Sequence, residues 1–322
     1  MLVTSAPTNP SLTIWNVKRE KAILRIDHRT LGGGITAFSP DGRYVVSTDF
    51  DKREFGETAS AVLYDVATGR VAQKIEGPKY PKSGGMAKFS FMVFDPKRKR
   101  LFVAYAPSHD IPAVGIYDTT NWRLIRTFGD KTHLVRGFDI TSDGRHVLAG
   151  TYESYRIAKL TSRHRGTVYI WHAKTGELIK SFKAHDVGVS KLKVRPNDSG
   201  SMIVVGGSNT ASLRNTETGK WDRRRNYDLV RVIDTSSQRL KWSYVFQNRG
   251  SKIVGLTVHP NGEIFIASDG GKAVVFASET GDVLHIIDPP GVTGAAVFNP
   301  TGDRLAVVSG KRVFVFDVRK IR

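Results

Sequence analysis

Two segments of this chain concentrate arginine, lysine and aromatic residues, a composition that suits the binding of anionic groups. The first, residues 151–166, contains Arg156, Lys159, Arg163, His164 and Arg165. The second, residues 206–229, contains Arg214, Lys220, Trp221, Arg223, Arg224, Arg225 and Tyr227. Guanidinium groups pair bidentately with carboxylates and phosphates, and exposed aromatic rings offer stacking surface. These residues are therefore our candidates for binding a partner.

Acidic residues near these segments help to choose between kinds of partner. The first segment has Glu153 as its only acid, whereas the second has Glu217, Asp222 and Asp228. Residues 48–60 are mainly acidic, with Asp49, Asp51, Glu54 and Glu57 around Lys52 and Arg53. A surface of mixed sign suits an irregular protein partner better than the uniform charge of a phosphate backbone. We expect a protein partner.

A repeated pattern indicates how these segments are held. An aliphatic–aromatic–acidic triplet, or a close variant of it, recurs at steps of roughly 40 to 60 residues, the range of propeller blades with insertions. Its copies are Ile14-Trp15-Asn16, Leu63-Tyr64-Asp65, Ile116-Tyr117-Asp118, Ile170-Trp171-His172, Val232-Ile233-Asp234, Val275-Phe276-Ala277 and Val315-Phe316-Asp317. We interpret each copy as the third strand of a four-stranded unit.

The residues around each triplet predict the other strands. A short apolar strand precedes each of six turns, at Pro40-Asp41-Gly42, Pro96-Lys97-Arg98, Ser142-Asp143-Gly144, Pro196-Asn197-Asp198, Pro260-Asn261-Gly262 and Pro300-Thr301-Gly302. Asn or Asp before Gly favours tight hairpins, because these residues tolerate positive φ. Valine-rich second strands follow these turns, and fourth strands follow the triplets. Four antiparallel strands repeated along a chain predict an all-β fold, a β-propeller.

At this point the chain resembles the WD-repeat propeller family over nearly its whole length. The best match to the family motif runs from Gly166 to His185, and Phe38-Ser39-Pro40-Asp41-Gly42-Arg43 is also similar. The resemblance implies a single propeller domain over residues 1–322 and a role in protein interaction. His185 stands where the family places a structural histidine. Few units here carry Trp-Asp, and the Gly-His pair of the family is mostly absent.

The strand count predicts seven blades with one irregularity. There are seven third strands and six first-to-second turns, and residues 1–5 read as a second strand. One first strand and one fourth strand are missing, and in a closed ring these two are consecutive. We therefore expect the first and last blades to share an incomplete closing seam. An N-terminal segment of about 20 to 25 residues upstream of Met1, or a strand donated by a partner, would complete it. The alternative is six blades and a surplus hairpin.

Long connections predict where a partner binds. Second-to-third connections are long at residues 48–60, 106–113, 151–166 and 206–229, whereas the opposite turns are tight. Function usually resides on long loops held by a rigid scaffold, so we place the binding surface on the face that carries these loops. Two alternatives remain: the loops have no partner, or residues 206–229 form a hairpin that extends a blade. We interpret the basic run Pro96-Lys97-Arg98-Lys99-Arg100 as a charged turn.

The sequence gives no sign of a catalytic, metal or cofactor site. It contains no cysteine, which excludes disulfides, thiolate zinc sites and cysteine nucleophiles. The histidines show no zinc spacing, and no nucleophile elbow or phosphate-cradling loop is present. No apolar run of about 18 residues predicts a membrane span. No secretory signal is seen, and we expect a cytoplasmic protein.

We conclude from the sequence that the protein is a non-catalytic interaction scaffold and a subunit of a larger complex. The formal net charge of +19 suits an acidic protein partner. The alternative is a propeller that binds nucleic acid through a basic loop face. A weaker alternative is an enzyme or small-ligand sensor, whose sign would be inward polar residues converging at the central channel.

Overall fold

The structure is a computed structural model. It describes residues 1–6, 9–17, 19, 21–27, 35–48, 60–79, 87–105, 112–129, 134–158, 161–197, 200–211, 225–246, 252–291 and 293–321. These residues fall into two compact units, residues 1–135 and 136–322. They form seven antiparallel sheets, each built from strands that are consecutive in the sequence.

Residues 1–135 contain the first three sheets. The first sheet consists of β1 (Leu2–Ala6), β2 (Asn9–Asn16) and β3 (Lys21–Asp27). The second consists of β4 (Thr36–Phe38), β5 (Tyr44–Ser47), β6 (Ala61–Asp65) and β7 (Val71–Ile75). The third consists of β8 (Phe89–Phe94), β9 (Arg100–Tyr105), β10 (Val114–Asp118) and β11 (Leu124–Phe128).

The remaining four sheets follow in the same order along the chain. The fourth sheet consists of β12 (Leu134–Ile140), β13 (His146–Ala158), β14 (Thr161–His172) and β15 (Leu178–His185). The fifth consists of β16 (Gly188–Val194), β17 (Met202–Ala211), β18 (Arg225–Asp234) and β19 (Leu240–Val245). The sixth consists of β20 (Gly255–Val258), β21 (Ile264–Ser268), β22 (Ala273–Ala277) and β23 (Val283–Ile287). The seventh consists of β24 (Thr293–Phe298), β25 (Arg304–Ser309) and β26 (Arg312–Asp317), before a 3-10 turn at Val318–Lys320.

The prediction of an all-β fold with seven blades is confirmed, and the six-blade alternative is wrong. The first and last sheets have three strands each in the described part of the chain, and the other five have four. β1 pairs with the third-strand segment β2, so the first sheet starts with a second strand. The last sheet stops at its third strand, β26. Within the described residues, the first sheet lacks a first strand and the last sheet lacks a fourth strand, as predicted.

The burial of the strands follows their position in each sheet. In β6, β10 and β22 the first four residues are all buried, as expected of strands with a neighbour on either side. The fourth strands β7, β11 and β23 are mostly exposed, but each ends in a buried Ile or Phe. The side chains of the first three strands therefore supply most of the core between sheets.

The acidic position of the repeated triplet caps the turn that follows. Asp65 accepts hydrogen bonds from the backbone N–H groups of Ala67 (3.1 Å) and Thr68 (2.9 Å). Asp234 accepts them from Ser236 (2.9 Å) and Ser237 (2.8 Å). Hydrogen bonds to the charged form, led by that of the Ser236 hydroxyl, lower the pKa of Asp234 to about 2. The motif therefore combines a buried strand with the turn that ends it.

Candidate functional site

The first candidate segment, residues 151–166, is mostly strand, so the predicted long loop is wrong. β13 has 13 residues and β14 has 12, and their pairing continues through Glu153–Arg165, Ser154–His164, Tyr155–Arg163 and Arg156–Ser162 to Ala158–Thr161. Thr and Tyr favour strands, and an acid lies opposite a base in the ladder. Of the candidates, Arg156, Arg163, His164 and Arg165 lie on this hairpin, whereas Lys159 lies outside the described residues.

The acid of this hairpin is turned inward. Glu153 is buried, and its carboxylate accepts hydrogen bonds from the hydroxyls of Thr151 (2.8 Å) and Tyr169 (2.9 Å). Buried carboxylates need such partners, because burial otherwise favours the uncharged form. The Glu153 carboxylate therefore forms its hydrogen bonds inside the sheet.

Two bases of this hairpin, His164 and Arg165, are exposed instead. His164 is exposed, and its ring stacks on that of Tyr152 at 5.2 Å between centroids, with a hydrogen bond of 2.7 Å between Nδ1 and the Tyr152 hydroxyl. Arg165 is exposed and forms no ion pair with any residue that the structure describes. Because successive residues of a strand point to opposite faces, the aromatic–imidazole stack lies on one face of the hairpin and the Arg165 guanidinium on the other.

The second candidate segment, residues 206–229, also extends a blade. β17 and β18 pair from Met202–Asp234 out to Ala211–Arg225, which is the hairpin that the sequence left as an alternative to a loop. Arg225 and Tyr227 lie on β18, and Tyr227 is half-buried opposite Asn209. Arg214, Lys220, Trp221, Arg223 and Arg224 lie outside the described residues.

A buried polar network supports the base of this second hairpin. Asn209 is buried and accepts hydrogen bonds from the backbone N–H of Asp186 (2.9 Å) and from His185 Nδ1 (3.3 Å). Burial, followed by the charge of Arg231, lowers the pKa of His185 to about 4, so this histidine is neutral at pH 7. The structural role that the sequence indicates for His185 agrees with these contacts.

Asp228 anchors the same hairpin from its second strand. It is buried and accepts a short hydrogen bond from the Ser208 hydroxyl. Burial raises the pKa of this carboxyl. Two acids that partly offset the charge of the candidate segments, Glu153 and Asp228, are thus enclosed among hydrogen-bond partners.

Gly188 brings the bases of the two hairpins together. It pairs with Ser208 of β17, and the adjacent Val187 N–H donates to the Ser208 carbonyl at 3.0 Å. A Cβ on Gly188 would lie 2.6 Å from Cδ2 of Tyr152 in the first hairpin. A side chain at position 188 would collide with Tyr152, so glycine is needed for this close contact. The bases of the two hairpins therefore both lie against Gly188.

The remaining predicted segments have simple positions. Residues 49–59 and 106–111, the core of two predicted long connections, lie outside the described residues. The basic run at residues 96–100 is the predicted turn, between β8 and β9. Buried Asp95 accepts from the N–H groups of Lys97 (2.9 Å) and Arg98 (3.1 Å) and pairs with Arg100 (2.6 Å).

No metal-binding cluster and no membrane helix is found in the described ranges. No group of three or more His, Asp or Glu residues there could hold a metal ion. No helix there has the length and apolar character needed to cross a bilayer.

Comparisons with known proteins concern the fold. No known protein-family model matches the chain. A propeller domain of Cps50 (Swd1) from Myceliophteria thermophila superposes with a TM-score of 0.65 at 16% identity, over 98% of this chain and 96% of that chain. The fold is that of a β-propeller. Hydrazine synthase of Kuenenia stuttgartiensis superposes with a TM-score of 0.74 at 14% identity, over 98% of this chain and 91% of that chain. At these identities both likenesses describe the fold alone.

One curated relative is similar in sequence. The pre-rRNA-processing protein crb3/ipi3 of Schizosaccharomyces pombe is 24% identical over 156 residues, which are 47% of this chain and 33% of that protein. The match thus spans about one third of the length of that relative. The propeller resembles the WD-repeat type in its architecture, and this is the level at which the resemblance in the sequence is supported.

Proposed function

We propose that this protein is a non-catalytic interaction scaffold, a subunit of a larger complex, and that it binds a protein partner through the two long hairpins β13–β14 and β17–β18. The observation that carries the proposal is the division of charge on β13–β14. Glu153 is enclosed, whereas Arg165 and the His164 ring that stacks on Tyr152 are exposed. Exposed guanidinium groups pair with carboxylates, and aromatic rings and arginines are common at protein–protein interfaces.

The length and support of the hairpins favour this surface over other parts of the chain. β13 and β14 have 13 and 12 residues, against five each for β21 and β22. Both hairpins rest on Gly188, and hydrogen bonds fix the base of each. A rigid base limits the entropy lost on binding, so the hairpins are suited to hold a partner.

Affinity purification with matched variants tests the surface. The test variant carries four substitutions: Arg163→Ala, Arg165→Ala, Arg223→Ala and Arg225→Ala. We expect the amount of recovered partner to fall by about tenfold or more, because truncation of interface arginines costs much binding energy. The control removes the same charge from turns: Lys97→Ala, Lys99→Ala, Lys174→Ala, Arg239→Ala, all exposed residues. Equal recovery of partners by the two variants would refute the assignment of the hairpins.

Nucleic acid is the second candidate partner, and two observations support it. The formal charge is +19, and the curated relative is named for pre-rRNA processing. Neutralised phosphates make affinity fall steeply with salt, with a log–log slope near −0.7 for each phosphate on single strands. Purification with and without nuclease, followed by RNA titration at several salt concentrations, separates the two functions. A partner retained after nuclease treatment supports the protein scaffold.

We also propose that a partner subunit donates a strand to the last sheet. β26 repeats the third-strand pattern but has no fourth strand beside it in the described part of the chain. Val315 is 44% exposed, whereas Val275 at the same position of β22 is 0% exposed. Unpaired strand edges bind extended peptides by completing the backbone hydrogen bonds.

The complete sheets define the strand that fits. The last residue of β7, β11 and β23 is a buried Ile or Phe, paired with the first residue of the third strand. A peptide with the sequence of residues 281–288 of this chain, Gly-Asp-Val-Leu-His-Ile-Ile-Asp, contains β23 and is a suitable probe. We expect it to protect the amides of β26 from hydrogen exchange. The same peptide with Asp in place of its second Ile should not protect them. Failure of the first peptide would refute strand donation at this edge.

Cytoplasmic location is likewise a proposal. A fluorescent fusion imaged in living cells tests it, and signal outside the cytoplasm would overturn it.

A further inference from the structure

The charged residues of the first strands are confined to two neighbouring sheets. The first strands are β4, β8, β12, β16, β20 and β24, and four of them carry no charge. β12 contributes Arg136 and Asp139, and β16 contributes Lys191 and Lys193. In a β-propeller the blades surround a central channel, and the first strand of each blade is the nearest to it. Three cations and one acid therefore lie on two consecutive first strands, whereas the other described first strands are uncharged.

Three contacts fix the alignment of β12 and β16. The Val194 N–H donates to Asp139 Oδ2 at 3.0 Å, and the Asn197 N–H donates to Ser142 Oγ at 3.3 Å, in both cases across 55 residues of sequence. A Cβ on Gly137 would lie 2.6 Å from the backbone nitrogen of Leu192, again 55 residues on. The two strands thus run in parallel at one register. The same register places Arg136 beside Lys191.

The acid of this cluster, Asp139, already has an ion-pair partner and a hydrogen-bond partner. Asp139 lies 3.5 Å from Nζ of Lys193 and also accepts the Val194 N–H. Arg136 and Lys191 form no ion pair with any residue in the described ranges. Lys191 is half-buried, and burial, followed by the charges of Lys193 and Arg136, lowers its pKa. Two adjacent cations, the exposed Arg136 and the half-buried Lys191, are thus left without a counter-charge among the described residues, and burial strengthens the electrostatic interactions of Lys191.

We propose that this surface binds a small oxyanion, a multiply charged phosphate- or carboxylate-bearing molecule, between Arg136 and Lys191. The guanidinium supplies a planar pair of donors and the ammonium a compact charge, a combination that suits such an anion. Binding removes the repulsion between the two cations. Lys193, held by Asp139, is the third donor at the edge of the site. The site does not depend on the hairpin surface, and its ligand is a small molecule.

Calorimetry with defined anions tests the site. The probes are inorganic phosphate, pyrophosphate, tripolyphosphate and citrate, titrated at constant ionic strength into the full chain. We expect saturable binding of one anion per chain, with affinity that rises with anion charge, and a melting temperature that rises with ligand concentration. Preference for pyrophosphate over citrate would identify a phosphate ligand, and the reverse a polycarboxylate. Binding that does not saturate with any of the four probes would overturn the proposal.

Matched variants separate the site from the general positive charge. We expect Arg136→Gln with Lys191→Met to weaken the best anion by tenfold or more. The control pair Arg239→Gln and Lys174→Met removes the same charge from exposed turn residues and should leave affinity within about twofold. Lys191→Arg keeps the positive charge, so this variant should still bind the anion. That result would show that position 191 tolerates substitution. Equal losses in the two pairs would show that net charge alone holds the anion.

Discussion

The sixth and seventh sheets contain closely similar third strands in different surroundings. In β22, Val275 and Phe276 are fully buried, and Phe276 stacks on Phe265 at 5.0 Å. In β26, Val315 is 44% exposed and Phe316 is half-buried. Both strands pair with their second strands in the same register, Phe265 with Phe276 and Leu305 with Phe316. Two differences accompany this: β23 lies beside β22 whereas no described strand lies beside β26, and Val275 packs with Phe298 and Val307 of the seventh sheet.

This difference shows that the aliphatic–aromatic pattern encodes a neighbour as well as a strand. A sequence pattern fixes which side chains face a core, but another strand must supply part of that core. In β22 the pattern is satisfied within the chain. In β26 it leaves apolar side chains at a sheet edge, where an exposed strand invites pairing.

The largest effect is expected from removing the two equivalent aromatic rings. Phe276→Ala should lower the free energy of unfolding by about 3 to 5 kcal/mol, because the ring is fully buried. Phe316→Ala should cost only about 1 kcal/mol, because its ring already contacts water. Denaturant unfolding measures both changes, and Phe276→Leu and Phe316→Leu are the conservative controls. Equal costs for the two alanine variants would mean that β26 is covered in solution.

A smaller difference is expected in hydrogen exchange. The amides of β22 are bonded to strands on both sides, so they should exchange only through large-scale opening. Amides of β26 that point away from β25 should exchange at least about tenfold faster. Mass spectrometry of peptides from the two strands measures this directly. Equal protection would place a fourth strand on β26 and contradict the open edge.

The smallest effect is expected in the dependence of the melting temperature on pH. Asp317 accepts hydrogen bonds from the guanidinium groups of Arg319 and Arg304, which lower its pKa below the ordinary 3.8, whereas β22 ends in Ala277, which does not titrate. A carboxyl whose pKa is lowered by folding stabilises the folded state at pH values above its pKa in the unfolded chain. This stabilisation is lost as the pH falls through its pKa in the folded state. Asp317→Asn should therefore lower the melting temperature at pH 7, with the difference shrinking below about pH 4.

The reciprocal change provides the control for this pH dependence. Ala277→Asp should introduce into the sixth sheet an acid-sensitive cap of the kind seen at Asp234. Melting curves between about pH 2 and about pH 7, the range over which carboxyls titrate, compare the two variants. A pH-independent difference for Asp317→Asn would show that the charge of Asp317 does not act through its arginine partners.

Local patterns were sufficient to predict the blades and the two missing strands. The triplets such as Leu63-Tyr64-Asp65 combine a buried strand with a capped turn, so each is recognisable without its neighbours. The strand count then predicted an incomplete first and last sheet. The residues that carry this information contact each other within a few positions along the chain.

The hairpins and the cation cluster depend on pairing that a single segment does not reveal. The strand pattern predicts residues 151–166 as a long connection between second and third strands, but Tyr152 packs on His164 and Glu153 lies opposite Arg165. The available signal was the presence of Thr151, Tyr152 and Tyr155, residue types that are enriched in strands. Arg136 and Lys191 meet only through the register of β12 and β16, which no local pattern specifies.

The succession of strands within each sheet has a consequence for how the chain folds. Every hydrogen-bonded strand pair in the described residues joins two strands that follow each other in the sequence. Closing such short connections costs less entropy than joining distant segments, so local pairing is fast. Each sheet can therefore assemble as its own residues leave the ribosome, before later sheets have been synthesised. Only the packing of one sheet on the next must wait for more of the chain.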